Sequence, residues 1–247
     1  MDKTNLQMVK QLAKGMLNIP ILKTEYSPMI VSHPFTNCGI VNLIEGEDFI
    51  QLDITKSKKS LSKWQAMVEK LIDEARSVYD IYYLVNEAYR ILFFHNISKF
   101  LSKEDFSSML GSVWVSSEYA NNDTNVSKKD MLAHFKNADK LALMSESEME
   151  TFDELDDCVV IYRGLATGNK NNIKALSWTT SFGRAKWFAE RWGDGGVVYS
   201  AEIDKKDIYA YFDRKNEDEV VIDYTKLKNI KVATKPLLKI ENQSLSL

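Results

Sequence analysis

The segment "NEDEVVID", residues 216 to 223, sets Glu217 and Glu219 one residue apart at the mouth of an apolar run. Side chains two apart on an extended backbone point the same way, so the spacing directs both carboxylates at one spot. Like charges repel, and a solvated turn ahead of a strand is one explanation. The other is that both carboxylates do chemistry. The rest of the chain has to choose between them.

The surrounding 90 or so residues read as a strand-rich region. "DDCVVIYRGLA" (156–166) is a β-branched run carrying Arg163 and Gly164, and "IKALSWTTSF" (173–182) is a second strand candidate. "FGRAKWFAERW" (182–192) has a helical period, with Ala185, Phe188, Ala189 and Trp192 on one face and Thr180 or Ser181 placed to cap it. "VVYSAEI", "IYAYF", "EVVIDY" and "IKVATK" then follow as strands in quick succession.

Upstream the texture is different. An amphipathic helix opens the chain, with Leu6, Met8, Val9, Leu12 and Met16 near helical spacing. Pro20, Pro28 and Pro34 punctuate a loop-rich stretch, and "GIVNLIEGEDFIQLDI" (39–54) reads as two strands around a turn at 45–48. From Leu61 to about Asn137 the pattern is mostly helical, including Trp64, Met67, Val68, Leu71, Ile72 and Ala75 at three- and four-residue steps. Ser102 opens a third helix, and Ser127 with Asp130 marks the start of a fourth. Helices first and strands second imply an α+β fold. The polar break "KSKKS" suggests a boundary, giving residues 1–58 as an N-terminal helix and β-hairpin region and 59–247 as the main domain, with one continuous domain as the alternative.

Composition excludes some functions. A formal net charge of −3 gives no bulk electrostatic case for nucleic acid, although a local basic patch would supply one. Cys38 and Cys158 stand alone, and His33, His95 and His134 are scattered, so no spacing suits a structural zinc site. No run of about eighteen apolar residues occurs, so neither a membrane span nor a membrane partner is expected, and the expected location is cytoplasmic.

Three short elements remain. Arg163 follows an apolar strand, where a guanidinium either pairs with a carboxylate or awaits a phosphate. Ser177 and Thr179 share one face of a strand that runs into a helix, with Trp178 turned to the core. Glu217 and Glu219 then open a later strand. This order of Arg, Ser-x-Thr and Glu-x-Glu resembles the R-S-E class of ADP-ribosyltransferases, most strongly over residues 156–230, and the region upstream is similar to bacteriophage-encoded members. Thr179 replaces that class's second serine and keeps the hydroxyl.

The resemblance implies a helical N-terminal half packed on a mixed, mainly antiparallel two-sheet transferase core. It also implies cleavage of NAD as co-substrate and transfer of ADP-ribose to arginine on a bacterial host protein, in the manner of a phage effector or toxin. Glu219 would stabilise the cationic transition state with Ser177 holding it and Thr179 in support. Glu217 would orient and deprotonate the acceptor. Arg163 would meet the diphosphate, Gly164 the nicotinamide amide, and Arg191 would flank the phosphates. Tyr211 or Phe212 would stack on the acceptor arginine. Water as acceptor (a NAD glycohydrolase), a nucleic acid acceptor, and an inactive interaction module on the same fold are the alternatives.

Overall fold

The computed structural model describes residues 2–45, 48–118, 120–169, 172–193 and 195–233. The chain forms two compact units, Met1–Ala120 and Asn121–Leu247.

The first unit contains helix α1 (Leu6–Leu17), strands β1 (Leu22–Lys23), β2 (Ile30–His33) and β3 (Thr36–Cys38), the hairpin β4 (Ile40–Glu45) and β5 (Asp48–Asp53), and helices α2 (Lys58–Glu74), α3 (Val78–Tyr82), α4 (Arg90–Ile97) and α5 (Lys103–Ser116). The proline-punctuated stretch is therefore not simply loop. It carries a small antiparallel sheet in the order β1-β2-β3. The long helical period from Leu61 onward is interrupted between α2 and α3, because Ser77 and Asp80 form a capping box that starts a new helix. The expected boundary at 58/59 moves to 120/121. Trp64, Val68 and Ile72 of α2 are buried, and α2 packs against α1 and β5, so this helix belongs with the N-terminal strands.

The second unit contains helices α6 (Lys128–Asn137), α7 (Lys140–Leu143) and α8 (Glu146–Asp153), strands β6 (Cys158–Leu165) and β7 (Ser177–Thr179), helix α9 (Phe182–Glu190), and strands β8 (Val197–Asp204), β9 (Ile208–Phe212), β10 (Glu219–Ile222) and β11 (Lys228–Val232). The α+β class holds. The expected mixed, two-sheet core does not: these strands form one sheet in the order β11-β8-β6-β7-β10-β9, and every pairing among the described residues is antiparallel. Its joints are unequal. β6 and β8 pair continuously from Cys158↔Asp204 to Leu165↔Val197, whereas β6 and β7 meet only at Tyr162↔Thr179.

Helix α9 is capped by Ser181, whose hydroxyl accepts from the Arg184 amide. Its inner face is made of Ala185 and Ala189, which pack with Tyr162 and Val198, and the Phe182 ring meets Tyr162 edge-on at 5.5 Å. Small residues are required because the helix almost touches the sheet. A Cβ on Gly164 would lie 1.8 Å from the Ala185 carbonyl oxygen, and one on Gly196 would lie 1.9 Å from that of Ala189. Trp192 leaves the expected helical face. It lies beyond the end of α9 and is 78% exposed.

Gly164→Ala is expected to destabilise the second unit by at least the ~1–3 kcal/mol typical of overpacking, because the opposing atoms are backbone and cannot rotate away. Urea unfolding of parent and variant measures it, and a loss below about 0.5 kcal/mol would show that α9 rides freely over β6.

Candidate active site

Strand β7 brings two of the three sequence elements together. It lies between β6 and β10, and the ladder aligns Tyr162, Thr179 and Glu219 in one row across three strands. Thr179 is thus the ladder partner of Glu219, while Ser177 faces Val221. Thr179, to which the resemblance gave the supporting role, is thus the residue directly across from Glu219, with Ser177 one step along the same strand face. Residues paired across a ladder share a face. Tyr162 and Gly164 lie under α9, so Thr179 and Glu219 open onto the same side of the sheet as that helix.

Arg163 does something different from a free phosphate ligand. Where β6 and β7 part, its Nε donates to the Asn172 carbonyl at 3.1 Å and its Nη1 to the Ser177 carbonyl at 2.5 Å. The guanidinium occupies the place of a missing ladder pair and satisfies backbone acceptors that would otherwise be stranded. Burial lowers its pKa to about 10, opposed by the nearby Glu219 carboxylate, so it stays charged at neutral pH. The amide side of the same segment is held too. Asn121 Oδ1 accepts from the Leu176 and Ser177 amides at 2.8 and 3.1 Å. Lys128, at the start of α6, donates to Asn172 Oδ1 at 3.2 Å and to the Lys174 carbonyl at 2.8 Å. Burial, with the Arg163 charge nearby, pushes the Lys128 pKa down.

Gly164 also reads differently. The close approach its missing side chain permits is that of α9, which fills the space on that face.

The carboxylate loop is built by backbone geometry. Asn216 and Asp218 have φ of 56° and 48°, left-handed values that Asn and Asp tolerate best among residues with a side chain. Their alternation with Glu217 breaks the extended path, so Glu217 and Glu219 are not the same-face pair that the spacing implied. Thr179 Oγ1 donates to the Glu217 carbonyl at 2.8 Å, and the Thr180 amide donates to the Asp218 carbonyl at 3.0 Å. The loop is therefore bonded directly to the β7–α9 connection. The middle acid, Asp218, accepts from the Tyr211 hydroxyl at 2.9 Å.

Tyr211 and Phe212 are 5% and 2% exposed within β9. Neither ring has an open face for an acceptor, so the expected stacking role is corrected: both are core residues. Burial raises the Tyr211 pKa, and the bond to Asp218 raises it further.

Glu217 is half-buried. Burial raises its pKa above the usual carboxylate value, and the positive charges of Lys215, Arg191 and Arg184 work against that rise. Arg191, at the end of α9, packs its guanidinium among three aromatic rings, 5.2 Å from Phe188, 5.4 Å from Trp192 and 5.9 Å from Trp187.

The loop's other end is tied to α8. Glu148 accepts from the Asp213 amide at 3.1 Å and from Arg214 at Nε and Nη2, at 3.2 and 3.1 Å, while also closing the capping box with Ser145. Burial would raise its pKa, but these donors outweigh it and hold the carboxyl below the usual range.

Asn121, Lys128, Glu148 and Asn172 are site-building residues that the sequence did not single out. Only Glu148 had a readable signal, the Ser-x-x-Glu spacing of a capping box in "SESE". No helix among the described residues is long and apolar enough to cross a membrane. Comparison with family models, with curated proteins and with solved structures finds no match to this chain.

Glu148→Ala is expected to cost about 2–3 kcal/mol, because it strands the partly buried Arg214 and the Asp213 amide. The folded pKa lies below 4.5, so the Glu148 contribution is complete above pH 4.5 and is lost as the pH falls through the folded value. Parent and variant stabilities, followed by denaturant unfolding from pH 7 to pH 3, should converge in acid; a constant gap would contradict an ionic role.

Proposed function

We propose that the chain is a NAD-dependent mono-ADP-ribosyltransferase that modifies arginine on a bacterial protein, in the manner of a phage-encoded effector. The observation that carries this reading is the row Tyr162–Thr179–Glu219. It sets a hydroxyl beside the first carboxylate of β10, with the Arg163 charge close enough to act on Glu219. An Arg, a Ser-x-Thr strand and a Glu-x-Glu segment that are far apart in sequence thus support one another in adjacent strands.

In the proposed reaction the bond from ribose C1′ to the nicotinamide nitrogen breaks. Nicotinamide leaves with the bonding electron pair, and C1′ becomes an oxocarbenium-like cation. Glu219 supplies the negative charge that stabilises it. A guanidinium nitrogen of the acceptor then bonds to C1′ and gives up one proton. Glu217, whose burial raises its proton affinity above that of an ordinary carboxylate, orients that nitrogen and accepts the proton. Arg163 acts mainly as a positioning residue, through β7 and through the field at Glu219. NAD, one acceptor and no metal balance the reaction.

Glu219→Gln is expected to lower nicotinamide release by at least about a hundredfold, the usual loss for an electrostatic transition-state stabiliser. Glu217→Gln should reduce transfer to arginine far more than hydrolysis of NAD. Labelled NAD incubated with a bacterial lysate and resolved by gel and mass spectrometry reads both. Unchanged nicotinamide release in Glu219→Gln would sink the assignment of the catalytic carboxylate. Because the Glu217 pKa is raised, the acid limb of the transfer rate should fall at a pH above 4.5, and a midpoint below 4.5 would remove Glu217 from the proton-accepting role.

A further inference from the structure

The helices before β6 enclose an apolar groove that NAD cleavage does not use. Leu141 of α7, Met144 just after it and Met149 of α8 line a space of about 420 Å³, within the ~300–1,000 Å³ of ordinary binding pockets. Leu141 is 77% exposed at its edge. Methionine is unbranched and polarisable, so this lining adapts to apolar side chains of more than one shape. Glu146, Met149, Glu150 and Asp153 recur at three- and four-residue steps along α8, so three carboxylates border the groove on the face opposite the buried Glu148 and Phe152. The groove shares its wall with the scaffold of the candidate active site. Met144 Sδ accepts from the Tyr211 amide at 3.2 Å, and Glu148 holds Asp213 and Arg214 from the other side of α8.

The charges around this groove restrict its partner. Residues 139–157 carry eight carboxylates and one lysine, Lys140. Lys140 is engaged inside the fold, with its ammonium 3.9 Å from the Phe152 ring centroid and donating to the Ile208 carbonyl at 3.4 Å. Two cations from elsewhere bond to this segment, Arg214 to Glu148 and the Leu143 carbonyl, and Lys205 to the Asp153 carbonyl. Eight carboxylates against these three cations leave an excess of five negative charges. Glu146 and Glu150 make no salt bridge among the described residues. No three His, Cys, Asp or Glu side chains among the described residues are grouped to hold a metal ion, and nucleic acids and acidic lipid headgroups carry the same sign of charge as the rim. We infer that the α7–α8 groove docks a basic amphipathic polypeptide segment, its apolar side chains against Leu141, Met144 and Met149 and its Lys or Arg side chains toward Glu146, Glu150 and Asp153. The inference stands apart from the transferase reading, since it uses neither Glu217 nor Glu219.

The test titrates the full chain into a fluorescently labelled peptide with leucines at i, i+3, i+4 and i+7 and lysines elsewhere, and follows anisotropy. Two comparators are a peptide of the same composition with the leucines scattered and one with glutamates in place of the lysines. The expected result is binding of the amphipathic basic peptide at least about tenfold more tightly than either comparator. Leu141→Glu separates groove docking from charge attraction, because it removes an apolar contact and adds a negative charge. Docking in the groove predicts a several-fold loss of affinity in this variant, whereas attraction by charge alone predicts a gain. Glu146→Gln with Glu150→Gln should weaken binding and flatten its dependence on salt, since exposed charges are screened. Leu141, Glu146 and Glu150 are all exposed, so these changes leave the core untouched. Equal binding of the scattered peptide, tighter binding by Leu141→Glu, preference for the glutamate peptide, or no binding of any peptide overturns the inference.

Discussion

The guanidinium of Arg163 is the constraint on which the rest of the second unit depends. β7 has three residues, all paired with β10, but it meets β6 at one pair, too little to fix that joint by ladder bonds alone. Arg163 reaches into the gap and binds the carbonyls of Ser177 and Asn172, and Asn121 binds the amides of Leu176 and Ser177. A buried segment of irregular backbone must have its polar groups satisfied somewhere, and side chains do here what a strand would ordinarily do. β10 pairs with β7 on one side and with β9 on the other, so the position of Glu219 depends in part on the arginine.

The neighbouring carboxylates are tolerated because the loop separates their surroundings. Glu219 belongs to a strand, sits across from Thr179 and feels Arg163. Glu217 belongs to a left-handed turn and feels Lys215, Arg191 and Arg184. Asp218 turns to Tyr211 instead of joining either one. Each carboxylate therefore has cations of its own, which offset the repulsion between them. Glu148 supports the arrangement from α8 by holding the start of the loop at Asp213 and Arg214.

Much of this was legible in the sequence. The strand carrying Arg163, the short Ser-x-Thr strand, the capped helix after it and the strand opening at Glu219 all follow from period and capping chemistry. What failed was whatever depends on the path between elements. Same-face alignment of Glu217 and Glu219 assumed an extended backbone through Asp218, and a φ of 48° removes that assumption. Tyr211 and Phe212 belong to the strand "IYAYF", and the stacking role implied for them fails because pairing with β10 buries them. Asn121 and Lys128 come from a polar stretch whose composition resembles any surface loop. Their role exists only once β6 and β7 have separated. The β1–β3 sheet was hidden for a similar reason, since two- to four-residue strands leave little period to read.

Helix α9 links the packing of the sheet to the charges around the carboxylates. Its inner alanines and the two glycines beneath them let the helix backbone descend to contact with β6 and β8. At Gly164 and Gly196, the two points of closest approach, its height is fixed by backbone atoms, which cannot rotate to absorb a change. Arg184 and Arg191 are carried on the outer side of this same rigid body, while Glu217 is carried by a loop bonded to the helix's first residues. Partly buried charges interact more strongly than exposed ones, and the interaction falls with distance. Burial raises the proton affinity of Glu217, and Arg191 and Arg184 on this helix oppose the rise beside Lys215 on the loop itself. A surface charge cluster on a flexible loop would average its field over many positions. On a helix seated this tightly, Arg184 and Arg191 act on Glu217 from a fixed base.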